Sequence, residues 1–551
     1  MNDSLILLII IPFIGAIPCL GVKIFRTPRL APIACVLAIS LCCVQLGRVY
    51  PALLQEGQIT YSVGGWPTLV GIQQFFDGLT WIGCALVMGI SFLVLFFALS
   101  EQRYGYTFYF FYLVMIAGMT GVLLAADVFN MFVFFEILGI TSYILIAYCQ
   151  ERHALVASFK YLLLSSLGIT FFLIGIFLIY QQTGSLSFYE IAQYAPQSSR
   201  DASRLSFALA ALVAGISIRT AYIPFHAWLP DAYASAPHPV SAILSGIVGK
   251  VSFLAIWRLI LTFQVPVFRA LFLWLGAATA LIAVVYALSQ TDCKKLLAWH
   301  SISQVGYILV GFGAENSLAS VGSVYHLVNH ALFKTLLFLS IGSVIISTGE
   351  QSVKHLAHLG RKMPLLMGVF LIGALSISGM PGFNGFVSKK LIESSVSDFP
   401  IVAPILWLTG IGTIASFLKL SAIFRNNPYY PMATFPESTL TALPWLSYVP
   451  LLLLSLLCLL TGVAGVFFSR QIFHLLFGRL LTESLRFYSL ANMIKTGAST
   501  GLGYGLYRFI ISPAGGKYTT SIRRFHISFQ TNLLIFVLAF IAFAIVTGSG
   551  I

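Results

Sequence analysis

The sequence has 551 residues, of which 58% are hydrophobic and only 9% are charged. Soluble proteins carry about a quarter charged residues, so this composition excludes a chain whose whole surface faces water. The formal net charge of +14 would indicate nucleic-acid binding in a soluble protein, but here the basic residues lie mostly in short loops between apolar segments. Loop charges that set membrane topology explain this pattern, and we expect no nucleic-acid partner.

Apolar segments recur along nearly the whole chain. A helix needs about 20 apolar residues to cross a bilayer, and by this measure the sequence contains about fifteen candidate spans. The first is 4–23, which lacks the flanks of a signal peptide and is predicted to be retained, and the last is 530–548. The alternation typical of a β-barrel is absent, so we predict an all-α polytopic protein of the cell membrane, inner or plasma, with about 14 core helices.

No pattern of a metal or cofactor site is present. The eight cysteines are scattered through or beside apolar segments, at 19, 35, 42, 43, 84, 149, 293 and 458. Zinc sites and iron–sulfur clusters need grouped thiolates, and the glycine-rich 501–507 misses the spacing of a dinucleotide-binding loop. We therefore expect no metal, no cofactor and no redox chemistry within this chain.

Basic residues follow the odd-numbered predicted spans, which places those loops on one side of the membrane. They are Lys23, Arg26, Arg29, Arg103, Arg152, Lys160, Lys294, Lys295, Lys354, Arg361 and Lys362. Because cytoplasmic loops are enriched in lysine and arginine, the N-terminus is predicted to lie outside. Arg200 and Arg204, in a loop predicted to lie outside, are a mild exception.

The C-terminal part fits this rule less well. Span 14, at about 448–468, should end outside, yet 470–524 carries a series of lysines and arginines. We interpret this segment as an amphipathic helix along the membrane interface, followed by a final anchor helix. The alternatives are a weak extra crossing within 470–515 or a failure of the charge rule.

Glu136 is the first of the ionisable residues that lie far from the end of a predicted span. A charge at the centre of a span costs roughly 2.5–3.5 kcal/mol on insertion scales, so such residues are candidates for function. A structural ion pair between helices is the alternative for Glu136. A single acid at this depth needs a polar cavity or a cation beside it, which favours a functional role.

Arg219 and Lys250 lie in the seventh and eighth predicted spans. Pro224 interrupts the apolar helix just after Arg219 and frees backbone groups that must line protein or water. Lys250 lies near the middle of the next span, where a desolvated lysine could exchange a proton. Arginine hardly deprotonates, so Arg219 could instead hold Glu136 as a fixed charge.

His326, His330 and Lys334 share one face of the eleventh predicted span, at spacing i, i+4, i+8. Two histidines at this spacing could bind zinc, but the H-E-x-x-H glutamate is missing and no third ligand is evident. Histidine titrates near neutral pH, so the stripe fits a proton relay, with His300 of the tenth span as a further candidate. A buried histidine is also often a hydrogen-bonded core residue.

Lys389 lies in the twelfth predicted span, close to Pro381 and three glycines that break the helix. The neighbouring Lys390 cannot share its helix face, so at most one of the two points along the same axis. We expect that residue to be Lys389.

The segments 205–236 and 365–392 correspond to each other. Each is apolar, each is broken by a proline and each carries a cation near the break, which is the usual trace of an internal repeat in transporters. Five spans separate them, so one copy would be inverted. We predict six regions: 1–100 with spans 1–3, 101–263 and 264–426 as the repeats, 427–468 with span 14, 469–529 as the amphipathic lateral segment, and 530–551 as the anchor.

Four long motifs carry a resemblance to a known family. These are HAWLPDAYASAPHPVSAILSGIVGK, KKLLAWHSISQVGY, HLVNHALFKTLLFL and SGMPGFNGF, and the similarity extends over about 60–470. They resemble the antiporter-like subunit family, which includes proton-pumping membrane subunits of complex I, large subunits of Mrp-type Na⁺/H⁺ antiporters, and subunits of membrane-bound hydrogenases. Gln304 in HSISQVGY resembles the Mrp and hydrogenase branch, since complex I relatives more often have histidine there.

The resemblance implies roles for several residues. Glu136 matches the glutamate of the fifth helix, Lys250 the lysine of the eighth, and Lys389 the terminal residue of the twelfth. His330 and Lys334 match the central histidine and lysine of the eleventh helix. Arg219 stands where most members have lysine, which suggests an electrostatic switch that does not itself release a proton.

The resemblance implies an ion-translocating subunit of a multi-subunit complex that is driven by chemistry or exchange elsewhere. Its partners would be other membrane subunits, the lipid bilayer, and H⁺ with or without Na⁺. Two alternatives stay open: a free-standing Na⁺/H⁺ antiporter, and a structural membrane partner whose channel is inactive.

Overall fold

The computed structural model describes residues 5–66, 71–194, 198–265, 267–425, 440–525 and 528–548. Its N-terminal part is three helices and one hairpin: α1 (Leu7–Phe25), α2 (Leu30–Glu56), β1 (Gln58–Ser62), β2 (Gln73–Asp77) and α3 (Gly78–Glu101). The strands pair antiparallel, with Ile59 opposite Phe76. Asp77 ends the hairpin and caps α3, because its carboxylate accepts the Thr80 amide at 2.8 Å.

The next part of the chain contains the spans predicted as the first repeat. Its helices are α4 (Tyr106–Leu124), α5 (Val128–Ile146), α6 (Arg152–Thr183), α7 (Phe188–Gln193), α8 (Ser199–Thr220), α9 (Leu229–Ser235), α10 (His238–Ile243) and α11 (Gly249–Phe263). A π-helical turn, Leu244–Val248, joins α10 to α11 and makes them one span. Such turns are frequent at functional sites.

The spans predicted as the second repeat follow. As in the first repeat, the third span is a long helix, a short helix comes after it, and the next span is broken. They are α12 (Val267–Ser289), α13 (Cys293–Gly313), α14 (Ser317–Thr348), α15 (Leu359–Lys362), α16 (Pro364–Ser378), α17 (Asn384–Ser395) and α18 (Val402–Ser421). The predicted boundary at 426/427 lies outside the described residues. The chain resumes with α19 (Tyr448–Val463), α20 (Gly465–Phe477), α21 (Leu490–Ile511), α22 (Pro513–Arg524) and α23 (Phe529–Gly548).

Fourteen helices of the described chain are long and apolar enough to cross a membrane, and Pro364–Ser378 is a shorter apolar helix. Backbone groups inside a bilayer must be paired within the span, and helices satisfy this requirement. The predicted all-α polytopic fold is therefore confirmed.

Spans six and seven pack closely through glycines, and spans seven and twelve are each broken near a proline. Gly168 of α6 faces Gly215 of α8, where an added Cβ would lie 2.8 Å from a backbone oxygen, so these helices approach closely. Pro224 lies in the break between α8 and α9, and Pro381 lies in the break between α16 and α17.

Two surface cavities define the two faces of the protein. One, of about 1120 Å³, is lined by Arg103, Arg152 and Lys294 together with other residues from loops predicted to be cytoplasmic. The other, of about 650 Å³, is lined by residues from the ends of α2, α11 and α20 and from the start of α14. We call these the inner face and the outer face. Loops after odd-numbered and even-numbered spans thus separate as the charge pattern predicts.

Two isolated β-bridges lie at matching positions in the two predicted repeats and support their inverted arrangement. Asp127 caps α5 and bridges to Ser187 after α6, whereas Asp292 caps α13 and bridges to Ser352 after α14. The separation along the chain is the same in both pairs. The first pair is next to Ala125, which bridges to the outer hairpin at Gln74, while Asp292 lines the inner cavity. The same feature on opposite faces is what an inverted repeat produces.

Helix α21 connects the two faces. Lys495, near its start, pairs with Glu393 of α17, and Trp407 of α18 donates to Ser499 of α21 at 2.9 Å. After α21 the chain continues into α22, whose Arg523 donates to Thr291 of an inner loop at 3.1 Å. With 22 residues α21 is long enough to cross, so its contacts support the extra crossing among the alternatives for 470–524. α22 then lies at the inner face, and α23 is the last helix of the described chain.

Candidate functional site

A row of buried polar side chains runs through the apolar interior from α5 to α17. Arg219, Lys250 and Lys389 are 3%, 3% and 5% exposed, and Lys334 is fully buried. His300, His326 and His330 are also fully buried. These are the residues that the sequence singled out, and α13 and α14 bring most of them to the centre of the molecule.

One end of the row is the ion pair of Glu136 and Arg219. Their closest atoms, Oε1 and Nη2, are 3.4 Å apart, and the guanidinium lies over the Phe135 ring at 5.6 Å. Arg219 is in the last turn of α8, where the helix dipole favours a cation. Glu136 is 39% exposed on the surface of this single chain, so it lies at the edge of the row.

Lys250 and Lys334 are joined through two serines and two carbonyl groups. Lys250 donates to the carbonyl of Ser245 in the π-helical turn, and the Ser245 hydroxyl lies 2.8 Å from that of Ser301. Ser301 and Lys334 share the Leu297 carbonyl, at 3.2 Å and 2.5 Å. The two lysines are therefore linked by a short path of polar groups.

His326 and Lys389 meet around the Tyr307 ring. The His326 Nδ1 atom is 3.0 Å from the Ser388 hydroxyl, and Lys389 Nζ is 4.8 Å from the centre of the Tyr307 ring. Lys389 donates to the carbonyl of Ile377, in the last turn of α16, at 2.7 Å. His330 lies between this group and Lys334, with its ring centre 6.2 Å from that of His326. The spacing seen in the sequence thus corresponds to a continuous face of α14.

Backbone carbonyls, and not carboxylates, hold the three lysines. Within the described chain, Lys250, Lys334 and Lys389 form no ion pair. A buried ammonium without a counter-ion keeps the cost of its charge, so loss of its proton is easier than in a paired lysine. This arrangement suits residues that gain and lose protons.

Several buried polar atoms along the row have no protein partner among the described residues. They are both ring nitrogens of His300 and His330, both amide atoms of Gln304, and the Nε2 atom of His326. Buried polar groups are normally hydrogen-bonded, and internal water is the usual partner where protein groups are absent. Such a lining is compatible with a chain of water molecules that conducts protons between the titratable groups.

Three further charged residues were not singled out from the sequence. Asp231 of α9 pairs with Lys160 of α6 at 3.2 Å and with Lys295 of α13 at 2.9 Å, so it joins the two predicted repeats. Asp231 is part of the LPDAY motif, but its position near a break concealed this role.

Glu393 and Lys419 are the other two. Glu393 of α17 pairs with Lys390 and with Lys495, each at 2.9 Å. Its position i+4 from Lys389 was the signal that could have found it. Lys419 of α18 donates to the carbonyls of Leu288 and Gln290, at 2.9 Å and 2.6 Å, and so caps the end of α12.

No group of three metal-ligating side chains comes together in the part of the chain that the structure describes. His326 faces Ser388, and the stacked arrangement of the two histidine rings differs from two ligands converging on one ion.

Solved membrane complexes share this fold. The membrane-bound sulfane sulfur reductase, an archaeal respiratory membrane complex, contains a chain that superposes with a TM-score of 0.78 and 26% identity, covering 92% of this chain and 99% of that one. A chain of the Mrp complex from a Dietzia species superposes with a TM-score of 0.77 and 22% identity, covering 95% and 99%. At that lower identity the likeness shows the fold alone.

Relatives by sequence come from three kinds of complex. A subunit of the NADH-quinone oxidoreductase of Desulforudis audaxviator is 37% identical over 64% of this chain and 73% of its own length. A subunit of the Na⁺/H⁺ antiporter of Alkalihalophilus pseudofirmus is 32% identical over 76% and 86%. A component of hydrogenase-4 of Escherichia coli is 29% identical over 66% and 58%. A family model described as "NADH:quinone oxidoreductase/Mrp antiporter, TM" matches residues 125–418, and the chain belongs to this family.

Proposed function

We propose that this chain translocates protons, alone or in exchange for Na⁺, as an antiporter-like membrane subunit of a multi-subunit complex in the cell membrane. The observation that carries the proposal is the row of buried titratable groups, which extends from one broken helix to the other. Each buried charge costs roughly 2.5–3.5 kcal/mol at a span centre. A protein that only needed to occupy the membrane would not gain from keeping them.

The residues of the row have different roles in this proposal. Lys250, Lys334 and Lys389 hold and release protons, because carbonyl groups and no carboxylates solvate them. His326 and His330 pass protons between Lys334 and Lys389, since neutral imidazole both accepts and donates. His300 lies beside Ser301 of the same path.

Arg219 acts as a fixed charge in this scheme. A guanidinium does not release its proton under physiological conditions, so it cannot be a carrier. Its ion pair with Glu136 is long, at 3.4 Å, and one of its nitrogens, Nη1, has no hydrogen-bond partner among the described residues. Closing or opening this pair would change the field at the start of the row without moving a proton.

The exposure of Glu136 favours a subunit over a free-standing antiporter. Phe129, Val133, Glu136 and Ile140 share one face of α5, and the three apolar residues are 49%, 37% and 52% exposed. A carboxylate within an otherwise apolar membrane face is costly against lipid. A neighbouring membrane subunit that covers this face would remove that cost. Its proposed partners are thus the other membrane subunits of the complex, lipid, and H⁺ with or without Na⁺.

Replacement of Lys250 tests the proton pathway. We expect Lys250→Gln to lower proton uptake by inside-out vesicles that carry the assembled complex at least about tenfold, because a positioned proton carrier is lost. Lys419→Gln is the matched control, since Lys419 is equally buried but caps α12 outside the row. Undiminished uptake by Lys250→Gln in the assembled complex would favour an inactive channel.

Expression of this chain alone in antiporter-deficient cells separates the two transport models. A subunit that needs partners should not restore growth at high Na⁺. Robust Na⁺/H⁺ exchange by the single chain would contradict the subunit model and support a free-standing antiporter.

A further inference from the structure

A cluster of three charged residues lies beyond Lys389, towards the outer face. Glu393 of α17 forms ion pairs with Lys390 of the same helix and with Lys495 of α21, each at 2.9 Å. The side chains of Glu393 and Lys390 are 15% and 12% exposed, whereas that of Lys495 is 40% exposed, so Lys495 reaches a largely buried carboxylate from the surface. We call these three residues the outer ion cluster.

The outer ion cluster separates two cavities. A cavity of about 40 Å³, large enough for water, is lined by Lys389, Lys390 and Glu393 together with Thr496 and Ser499 of α21. A second cavity, of about 370 Å³, lies on the other side of the cluster. It is lined by Lys390, Glu393 and Lys495, with Glu483 and Arg486 from the segment before α21. Because Glu393 lines both cavities, it lies on a route from Lys389 to the outer face.

Glu393 is the acid best placed to act on Lys389. It is the only carboxylate of α17, and it follows Lys389 by one helical turn, on the same face. The neighbouring helices offer other titratable groups: Tyr307 from α13, His326 from α14, Cys458 from α19 and Lys495 from α21, while α16 has none. None of these is a second carboxylate.

The two lysines of the cluster compete with Lys389 for this carboxylate. While Lys390 and Lys495 hold Glu393, its charge is balanced, and Lys389 is held by the Ile377 carbonyl. If Lys495 withdrew, the carboxylate would be free to approach Lys389 and to stabilise its protonated form. The position of α21 would then decide how readily Lys389 releases its proton.

We propose that Glu393 sets the protonation of Lys389 and that Lys495 of α21 is a positioning residue that controls this effect. The inference rests on the proposed function, because it assumes that Lys389 carries a proton. It adds a regulated gate at the outer end of the row, formed by a helix that follows the two predicted repeats.

Transport measured across a range of pH tests the gate. In inside-out vesicles with the full complex, we expect Lys495→Gln to move the pH optimum to higher pH by roughly one unit, since the freed carboxylate favours protonated Lys389. Glu393→Gln should move the optimum to lower pH, because the carboxylate one helical turn from Lys389 is gone. Lys495→Arg should keep the wild-type profile. Lys517→Gln, at an exposed lysine of α22, is the control and should also keep it.

The double variant Glu393→Gln/Lys495→Gln distinguishes gating from general damage. If Lys495 acts through Glu393, the double variant will match Glu393→Gln alone. Additive shifts of the pH optimum in the double variant would overturn the proposal. An unchanged optimum in Glu393→Gln would also overturn it, even if Lys495→Gln fails to assemble. Lys389→Gln separates a failure of the proposed function from a failure of the gate. If Lys389→Gln still transports protons, the proposed function is overturned. If Lys389→Gln loses transport but the Glu393 and Lys495 variants keep the wild-type optimum, only the gate is overturned.

Discussion

Gly139 provides the space that the Arg219 guanidinium occupies. An added Cβ at this position would lie 2.6 Å from Nη2 and 2.7 Å from Nη1 of Arg219. Gly139 follows Glu136 on the same face of α5, so the glycine allows the guanidinium to lie directly beside the carboxylate. A single absent methyl group therefore contributes to the geometry of the ion pair.

We expect Gly139→Ala to displace Arg219 from Glu136 and to lower transport by about tenfold, as small misplacements of catalytic groups do. The guanidinium is almost fully buried, so it has little room to adjust. Transport by vesicles with equal amounts of complex is the measurement. Gly47→Ala of α2 is the matched control, because its added Cβ meets nothing within 4 Å. Wild-type transport in Gly139→Ala would show that the pair tolerates displacement.

At the scale of elements, the two broken helices place their cations in related ways. Arg219 ends α8 just before one break, and Lys389 reaches back across the other break to the last turn of α16. In both cases the cation meets the C-terminal end of a half-helix, where the dipole is negative. The break exposes carbonyl groups that an intact helix would keep for itself.

Asp231 connects the half-helix α9 to both predicted repeats. Because the side chains of Asp231, Lys160 and Lys295 are about one-third exposed, each ion pair contributes about 0–1 kcal/mol. We expect Asp231→Asn to lower the free energy of unfolding by no more than about 2 kcal/mol, measured by thermal denaturation of the solubilised complex. Transport should fall more than this small change implies, because α9 loses its two lateral attachments. Asp398→Asn, in an exposed loop, is the control. Equal effects of the two substitutions would contradict this role.

At the residue and element scales, the sequence predicted those charged residues that lie within long apolar segments. Lys250, Lys334 and Glu136 stand out because each interrupts a long apolar run. Glu393 lies near a span end among serines and lysines, and its partner Lys495 is far away in the chain. No local pattern reveals such a pair. Asp231 was overlooked for the same reason, because its two lysines come from different helices.

At the scale of the whole molecule, the C-terminal extension reaches both broken helices. Helix α21 contacts α17 through Lys495, and α23 packs against α8, with Phe540 next to Phe207 and Phe536 next to Phe225 in the break. The extension thus lies along both ends of the row. Hydropathy alone did not identify α21 as a span, because glycine, threonine, serine and two cations dilute its apolar residues.

A crossing by α21 reduces the conflict in the charge pattern of the C-terminal part. Arg470, Arg479 and Arg486 precede α21, while Lys517, Arg523 and Arg524 follow it in α22, where Arg523 contacts an inner loop. The basic residues after the crossing then satisfy the rule for cytoplasmic segments, whereas those before it stay exceptions, as Arg200 and Arg204 do. A helix lying in the interface would leave all of them on one side.

Cysteine labelling tests this topology. In a variant whose exposed Cys43 and Cys149 are replaced by serine, we expect a membrane-impermeant maleimide to label Glu483→Cys from the outside of intact cells. Lys517→Cys should be labelled only in inside-out vesicles, because α21 carries the chain to the other face before α22. Ser397→Cys, in the exposed loop after α17, is the outer control. Labelling of both test positions from the same side would place α21 along the interface. It would also remove the structural basis for a helix that connects the outer ion cluster to the inner face.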